Sequence, residues 1–394
     1  MEKKRLHGAL RRSEINAAGP VSELEVSDSV LDLSMTEISF PKKQAGRGFG
    51  ILTPYLIPPE KPRKRLNLGD GFIFHAIERL LGPFAPDVVL SSRSTPEPAQ
   101  ITALASRRAI ILGGANQLSD NFRPWPTLEA GDIDKAGLTF VPMGVGLNGL
   151  PKNNCGFTPT TRAIIRAMHE RIPYSSWRCP RTVALLQRAF PDLADRFLMT
   201  GCPVLYDRPL LEGEPFNTDT GRIAVTVTER GDFMFRETST LREIARLFPD
   251  AEKLLVLHQD FRRLRRGIGP SVREMLPGSW LGNVGKLHAE AKRLGYRIVA
   301  PATARECIDL YQGVDLHVGS RLHAHLLCLS RARRSFLTYV DNRSLGVSEF
   351  LDFPLVRPGG LEDHLNYDFE TVRANARQSF ANMRRFINSL ESLH

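Results

Sequence analysis

Cysteine is scarce and unpatterned. The five residues Cys155, Cys179, Cys202, Cys307 and Cys328 are an odd number in a chain of 394 and show no CxxC spacing. That excludes a disulfide framework and a sulfur-ligated zinc site, and points to reduced thiols with no structural metal. Long hydrophobic runs are missing too: none approaches the roughly 18 apolar residues of a spanning helix. The opening MEKKRLHGALRR has no apolar centre of the kind a secretory signal carries. The expectation is a cytoplasmic protein. Zinc-finger spacing, an aromatic RNP pattern and a short recognition helix are also lacking, so nucleic acid is not an expected partner despite 53 Lys and Arg against 43 Asp and Glu. A formal charge of +10 still requires that some cleft or surface attract anions, such as phosphorylated metabolites or acidic lipid.

What is present is a globular composition, 42% hydrophobic and 24% charged, with apolar material for two ordinary cores. Residues 1–46 mix charge with Ser, Gly and Pro without periodicity and read as a flexible leader. From about Gly48, apolar or β-branched runs alternate with helical patterns: GILTPYLI, DGFIFHAIERLLG, DVVLSS, RRAIILGG, GLTFVPMGVGL, TRAIIRAMHERI, YSSWR, PRTVALLQRAF and RFLMTGCPVLY. This alternation predicts a parallel sheet wrapped by helices over 47–205. A Gly-, Pro- and acid-rich linker at 206–221 precedes a second such series over 222–365. A long amphipathic helix follows at 366–394, with Phe380, Met383 and Phe386 on its packing side. Two α/β domains with a cleft between them are expected, the final helix lying at their junction.

Chemistry concentrates in GVDLHVGSRLHAHLL, where a buried strand ends at Gly319 and Ser320 and a helix starts at Arg321. The carboxyl end of a strand is where ligands sit in open α/β sheets, and a helix N-terminus offers N–H groups to an anion. Ser320 reads as the N-cap, Arg321 as a bidentate clamp, and His323 or His325 as a proton donor or acceptor. Helical spacing puts His325, not His323, on the face of Arg321. His317 reads as a core or strand-end histidine. Asp70 reads either as an N-cap or as a catalytic carboxylate. Gly113 and Gly114 fit a tight turn or the close approach of a ligand. The basic runs Arg262-Arg263-Leu264-Arg265-Arg266 and Arg331-Ala332-Arg333-Arg334 read as solvated faces, or as a surface steering anionic substrates to the inner membrane surface.

The run Arg321-Leu322-His323-Ala324 resembles the RLHA signature of the polysaccharide pyruvyl transferase family. Tyr339, Asp341 and Arg343 follow where that family has Tyr-Asp and then Lys. NLGDG at Asn67–Gly71 resembles its NxGD, LGGANQLSD at Leu112–Asp120 its double-glycine turn, and SSWR at Ser175–Arg178 its strand-borne Arg. MGVGL fits as well, although it lacks the polar residue common there. The resemblance spans about 67–350. It implies two Rossmann-like domains similar to the GT-B glycosyltransferase architecture, and transfer of a pyruvyl group from phosphoenolpyruvate to two sugar hydroxyls as a ketal, with no cofactor or metal. The acceptor would be a glycan or lipid-linked saccharide. His323 and Asp70 are then the catalytic candidates, and Arg321, Arg178, Gly113, Gly114, Ser320 and Asn67 the donor-binding ones, with Arg178 and Arg321 converging on one anion. A nucleotide-sugar-dependent glycosyltransferase of the same architecture and a non-catalytic anion-binding homologue stay open.

Overall fold

A computed structural model of the chain describes residues 48–58, 66–149, 156–228, 231–259 and 280–393. The expected leader, Cys155 and the 262–266 basic run lie outside the described residues. The expected class is what is observed: α/β, with parallel sheets and a long C-terminal helix. The first sheet has the order β2-β1-β3-β4, from β1 (Phe49–Thr53), β2 (Val88–Ser91), β3 (Ala109–Gly113) and β4 (Phe140–Met143). A bridge from Val145 to Trp177 passes it on to the short pair β5 (Ser175–Trp177) and β6 (Phe197–Met199). The second sheet comprises β7 (Arg222–Thr226), β8 (Glu252–Val256), β9 (Arg297–Val299), β10 (Leu316–Gly319), β11 (Arg334–Thr338) and β12 (Leu355–Val356). Its order β12-β11-β10-β7-β8-β9 is that of a doubly wound dinucleotide-type fold, reversing direction between β7 and β10.

The helices follow from local chemistry. Helix α1 (Leu68–Leu81) starts on Asn67, whose Oδ1 accepts from the Gly69 N–H at 3.2 Å. Its apolar residues Phe72, Ile73, Ala76, Ile77, Leu80 and Leu81 fall on one buried side. In order along the chain come α2 (Pro98–Ala105), α3 (Ala130–Lys135), α4 (Pro159–Arg171) and α5 (Pro180–Ala189), the last opening on a proline that has no N–H to leave unpaired. They continue with α6 (Arg208–Glu212), α7 (Met234–Leu247), α8 (Trp280–Arg293), α9 (Ala304–Leu310), α10 (Leu322–Ser330), α11 (Asn342–Leu351) and α12 (Glu370–Ser389).

Three local expectations need correction. RFLMTGCPVLY is a strand only over Phe197–Met199, because Gly201 turns the chain at φ +71° and Pro203 has no N–H for a ladder. Helix α11 and strand β12 complete the second series ahead of the final helix, in a part of 222–365 for which the sequence reading named no element. The capping box of Asp341 and Ser344 starts α11. The 331–334 run is no solvated face. Arg331 donates to the Ile308 carbonyl, Arg334 to those of Asn217 and Leu365, and Arg333 pairs with Asp315.

One apolar core runs from Ile51 and Ile111 of the first sheet, through α1, to Val225, Leu255 and Val318 of the second. Helix α1 packs on α9 and α10, and the Leu68 N–H donates to the His258 carbonyl beyond β8 at 2.9 Å. Helix α12 buries Phe380, Met383 and Phe386 and packs against α6, α11 and β6. Its Arg373 donates to the carbonyls of Pro209 and Leu210, and its Tyr206 partner Ser379 sits 2.8 Å from the phenol oxygen. Cys179, Cys202, Cys307 and Cys328 are free buried thiols. No helix among the described residues is long and apolar enough to cross a membrane.

Candidate functional site

Parallel strands end together, so the loops after them gather on one side. Arg178 follows β5 directly, its backbone N–H donating to the Val145 carbonyl at 3.0 Å. The side chain is 1% exposed, and its Nε and Nη1 have no hydrogen-bond partner among the described residues. Each such unmet donor costs about 1–3 kcal/mol in a protein interior. Gly146 makes the room: a Cβ there would lie 2.3 Å from Arg178 Nη2. The neighbouring Cys202 thiol is pushed up to about 11 by burial, so it is neutral, and the carboxylate whose charge acts on Arg178 is that of Asp341.

A second guanidinium, that of Arg343, lies in the field of Arg178. Arg343 enters from the second sheet, in the first turn of α11. Asp341, the N-cap, accepts from Arg343 Nε at 2.9 Å and from Nη2 at 2.7 Å, which fixes the planar group. Burial alone would raise the Asp341 carboxyl, but the hydrogen bonds and charge of Arg343 outweigh it and hold it low. Gly149 packs so close to Asp341 that a Cβ would sit 2.6 Å from Oδ2. Loop 144–149 is therefore pressed against both guanidinium carriers.

Asp70 stands in the first turn of α1, 5% exposed. It is not the cap; Asn67 is, and the Asn67 amide donates to Asp70 Oδ1 at 3.1 Å. Arg93 approaches Oδ2 at 3.3 Å. Burial raises the Asp70 carboxyl above its ordinary range in spite of Arg93, Arg343, Asn67 and Arg178, all of which pull it down. His323 moves the opposite way. Burial first, then the charges of Arg178 and Arg343, hold its imidazole well below its ordinary value, and therefore neutral. Its ring faces the start of α1, where a Cβ on Gly69 would meet Nδ1 at 2.8 Å. Its buried Nε2 has no hydrogen-bond partner among the described residues. Asp70, Arg178, His323 and Arg343 thus share one electrostatic neighbourhood.

The other expected residues are placed differently. The N-cap of α10 is Arg321, not Ser320, and the helix starts one residue later than read. Arg321 donates from Nε to the Val227 carbonyl at 2.7 Å and from its backbone to Thr226 Oγ1 at 3.2 Å; its charge acts on His258 and Tyr311. Ser320 lies on the Thr226 carbonyl. His325 faces the second sheet: its Nδ1 is 2.8 Å from Ser335 Oγ, which His317 Nδ1 also meets at 2.7 Å. The atoms nearest a Cβ on Gly113 belong to Ile51 of the neighbouring strand β1, and those nearest one on Gly114 to Ile73 of α1, so close approach there serves packing within the sheet and of helix on sheet.

In front of Asp70, at the carboxyl ends of β1, β2 and β3, opens a polar cleft of about 550 Å³. Gly114 and Ala115 are both left-handed there, at φ +58° and +61°. The latter costs about 1–2 kcal/mol for a residue with a Cβ. A hydrogen bond from the Gly146 N–H to the Ala115 carbonyl, 2.8 Å, holds the turn. Among the described residues no group of three or more His, Cys, Asp or Glu side chains is arranged to hold a metal ion.

The structure is similar to several solved ones at low identity. The UDP-GlcNAc 2-epimerase of Methanocaldococcus jannaschii is 13% identical, over 86% of this chain and 99% of that one, with a TM-score of 0.47. Anabaena HepE, solved with UDP and glucose, is 12% identical over 87% and 97%, with a TM-score of 0.41. Phytolacca americana UGT2, solved with UDP-2-fluoroglucose and pterostilbene, is 9% identical over 88% and 99%, with a TM-score of 0.43. No curated protein matches the sequence. The family model "Polysaccharide pyruvyl transferase" matches residues 67–342, from the Asn67 cap of α1 to the first residue of α11, and so takes in Asp70, Arg178, Arg321 and His323. With that span, most of the chain, the protein belongs to the polysaccharide pyruvyl transferase family, and its general role is that of a pyruvyl transferase.

Proposed function

We propose that the chain transfers the pyruvyl group of phosphoenolpyruvate to two hydroxyls of a saccharide, forming a cyclic ketal. The observation that carries this reading is the buried guanidinium of Arg178, whose Nε and Nη1 have no hydrogen-bond partner among the described residues and which lies in the field of a second guanidinium, that of Arg343. Phosphoenolpyruvate offers a carboxylate and a phosphate a few ångströms apart, and a pair of planar cations suits two such groups. Arg321, at the head of α10, adds positive charge on the side of the second sheet. Asn67 acts through Asp70, which it orients.

The chemistry follows from two groups whose environments drive their proton affinities apart. Asp70, raised by burial, supplies the proton that the methylene carbon of the donor takes up. His323, held neutral, accepts at Nε2 the proton of the first acceptor hydroxyl as its oxygen attacks the adjoining carbon. The carbon–oxygen bond to phosphate then breaks, and the departing phosphate takes the proton from His323. The second hydroxyl closes the ketal and returns its proton to Asp70. Two hydroxyl protons thus end on the methyl group and on phosphate, and both side chains are reset.

Incubation of the full chain with phosphoenolpyruvate and a panel of free and lipid-linked glycans tests this. The expected result is phosphate release together with a glycan heavier by one pyruvic acid less one water. Release of nucleoside diphosphate from a nucleotide sugar, with no dependence on phosphoenolpyruvate, would overturn it in favour of a glycosyltransferase.

A further inference from the structure

We infer that His317 is a positioning residue: through Thr226 and Ser335 its imidazole ties α10 to the second sheet at two points and so aims His323. The inference rests on the reading of His323 as the base and adds what sets its position. Register is the first argument. His317 of β10 pairs with Ser335 of β11 and with Ala224 of β7, two residues before Thr226. Thr226, His317 and Ser335 therefore share one face of three adjacent strands, and all three are buried. His317 Nε2 lies 2.9 Å from Thr226 Oγ1, and its Nδ1 2.7 Å from Ser335 Oγ. Both hydroxyls reach on to α10. Thr226 Oγ1 accepts from the Arg321 N–H at 3.2 Å, and Ser335 Oγ is 2.8 Å from His325 Nδ1. His323 stands midway between these two anchors.

The second argument is where the protons go. The Arg321 N–H can only donate, so Thr226 turns its own proton to His317 Nε2. Burial holds His317 neutral, down to about 3, so its single ring proton is on Nδ1 and goes to Ser335. Ser335 in turn donates to His325 Nδ1. Among these four bonds this is the one arrangement that gives both hydroxyl protons an acceptor. It ends at His325, whose ring lies 4.4 Å from that of Phe353. An apolar core needs no such row: four buried polar side chains cost free energy that their mutual bonds must offset. The third argument is the helix itself. His323 and His325 are about 200° apart around α10, so a His325 turned to the sheet sends His323 the other way, onto α1. Gly319, at φ +146°, lets the chain pass close to Thr226; a Cβ there would strike the Thr226 carbonyl.

Two measurements on the full chain test this. The first is the nitrogen-15 spectrum of its histidine rings, assigned with His317→Phe and His323→Asn. His317 should carry its proton on Nδ1 and none on Nε2, a result that needs no variant of the relay and no turnover. The ring signals of His323 should move in both Thr226→Val and Ser335→Ala, although neither residue touches it. The second is a double-mutant cycle on kcat, referred to the folded fraction so that a loss of stability alone leaves it unchanged. Thr226→Val and Ser335→Ala should each lower kcat about tenfold, with KM for phosphoenolpyruvate within about threefold, because misplacing a reacting group slows the reaction more than it weakens binding. Thr226→Ser, which keeps the hydroxyl, should restore most of the loss. Thr226 and Ser335 stand on strands separated by β10 and meet through His317, so the pair should lose clearly less than the product of the two. A proton on His317 Nε2, or His323 signals that stay put in both variants, would overturn the inference whether or not the chain turns over. Wild-type kcat in both variants, or a pair whose loss equals the product, would overturn it and leave the base assignment standing. The expected spectra in a chain that never consumes phosphoenolpyruvate would support the relay and sink the pyruvyl transfer reading.

Discussion

Asp70 and His323 are ordinary residues made unusual by burial. An exposed carboxyl would be ionised at neutral pH and unable to protonate carbon, whereas burial raises Asp70 against four groups that oppose it. Burial, and then the charges of two guanidinium groups, keep the imidazole of His323 neutral, as the proposed base requires. Activity should accordingly be lost as pH rises through the raised value of Asp70, which then gives up its proton. It should also be lost on acidification, but only well below the ordinary histidine range. Asp70→Asn should lower turnover by about 10²–10⁴-fold and abolish the alkaline limb of the profile of kcat/KM, leaving the acid limb in place. An alkaline limb that survives in Asp70→Asn would assign the acid to another group. At this scale the sequence was partly legible. Asp70, Arg178 and His323 could be named from motifs, whereas Arg93 could not. It sits in a loop after β2 with no periodicity and meets Asp70 only through the fold, 23 residues away.

At the scale of elements, the strands and most helices could be read because each has a buried face of fixed period, as in α1 or β3. The choice between His323 and His325 could not be made that way. Spacing did place the two histidines on different faces, but it counted Arg321 as a helical residue. Arg321 is in fact the cap, with extended backbone at φ −94° and ψ 100°, so sharing its face decides nothing. What separates the histidines is what lies opposite: α1 for His323, Ser335 of β11 for His325. Gly146 is another feature that only packing discloses. Its φ lies outside the left-handed region, so alanine fits the backbone there, yet the methyl would strike Arg178. Gly146→Ala should cost phosphoenolpyruvate about tenfold or more in affinity, as a displaced charge-assisted contact does. Gly131→Ala, with nothing within 4 Å of the added carbon, is the control and should bind as the wild type. Calorimetric titration of the two variants checks this, and equal affinities would detach Arg178 from the donor.

The whole molecule explains why neither sheet makes the proposed site alone. Arg178 and Asp70 come from the part of the chain around the first sheet, Arg343 and His323 from the second, and the continuous core through α1 fixes one set against the other. Composition and charge could announce an anion site and two α/β series, but the partner of Arg178 is set by how the sheets are packed. Sequence reasoning named Arg321, whereas the guanidinium in the field of Arg178 is that of Arg343. The signal available was the Tyr339–Asp341–Arg343 run, where the arginine keeps the charge of the family's lysine. The central claim, that two cations from opposite sheets hold one donor, is tested most directly by a double-mutant cycle. Phosphoenolpyruvate affinity is measured by calorimetry for the wild type, Arg178→Met, Arg343→Met and the pair. Each single change should weaken binding by about tenfold or more, and the pair by clearly less than the product of the two, because both arginines touch the same small anion. Single variants that bind as tightly as the wild type, or a pair whose loss equals that product, would contradict it.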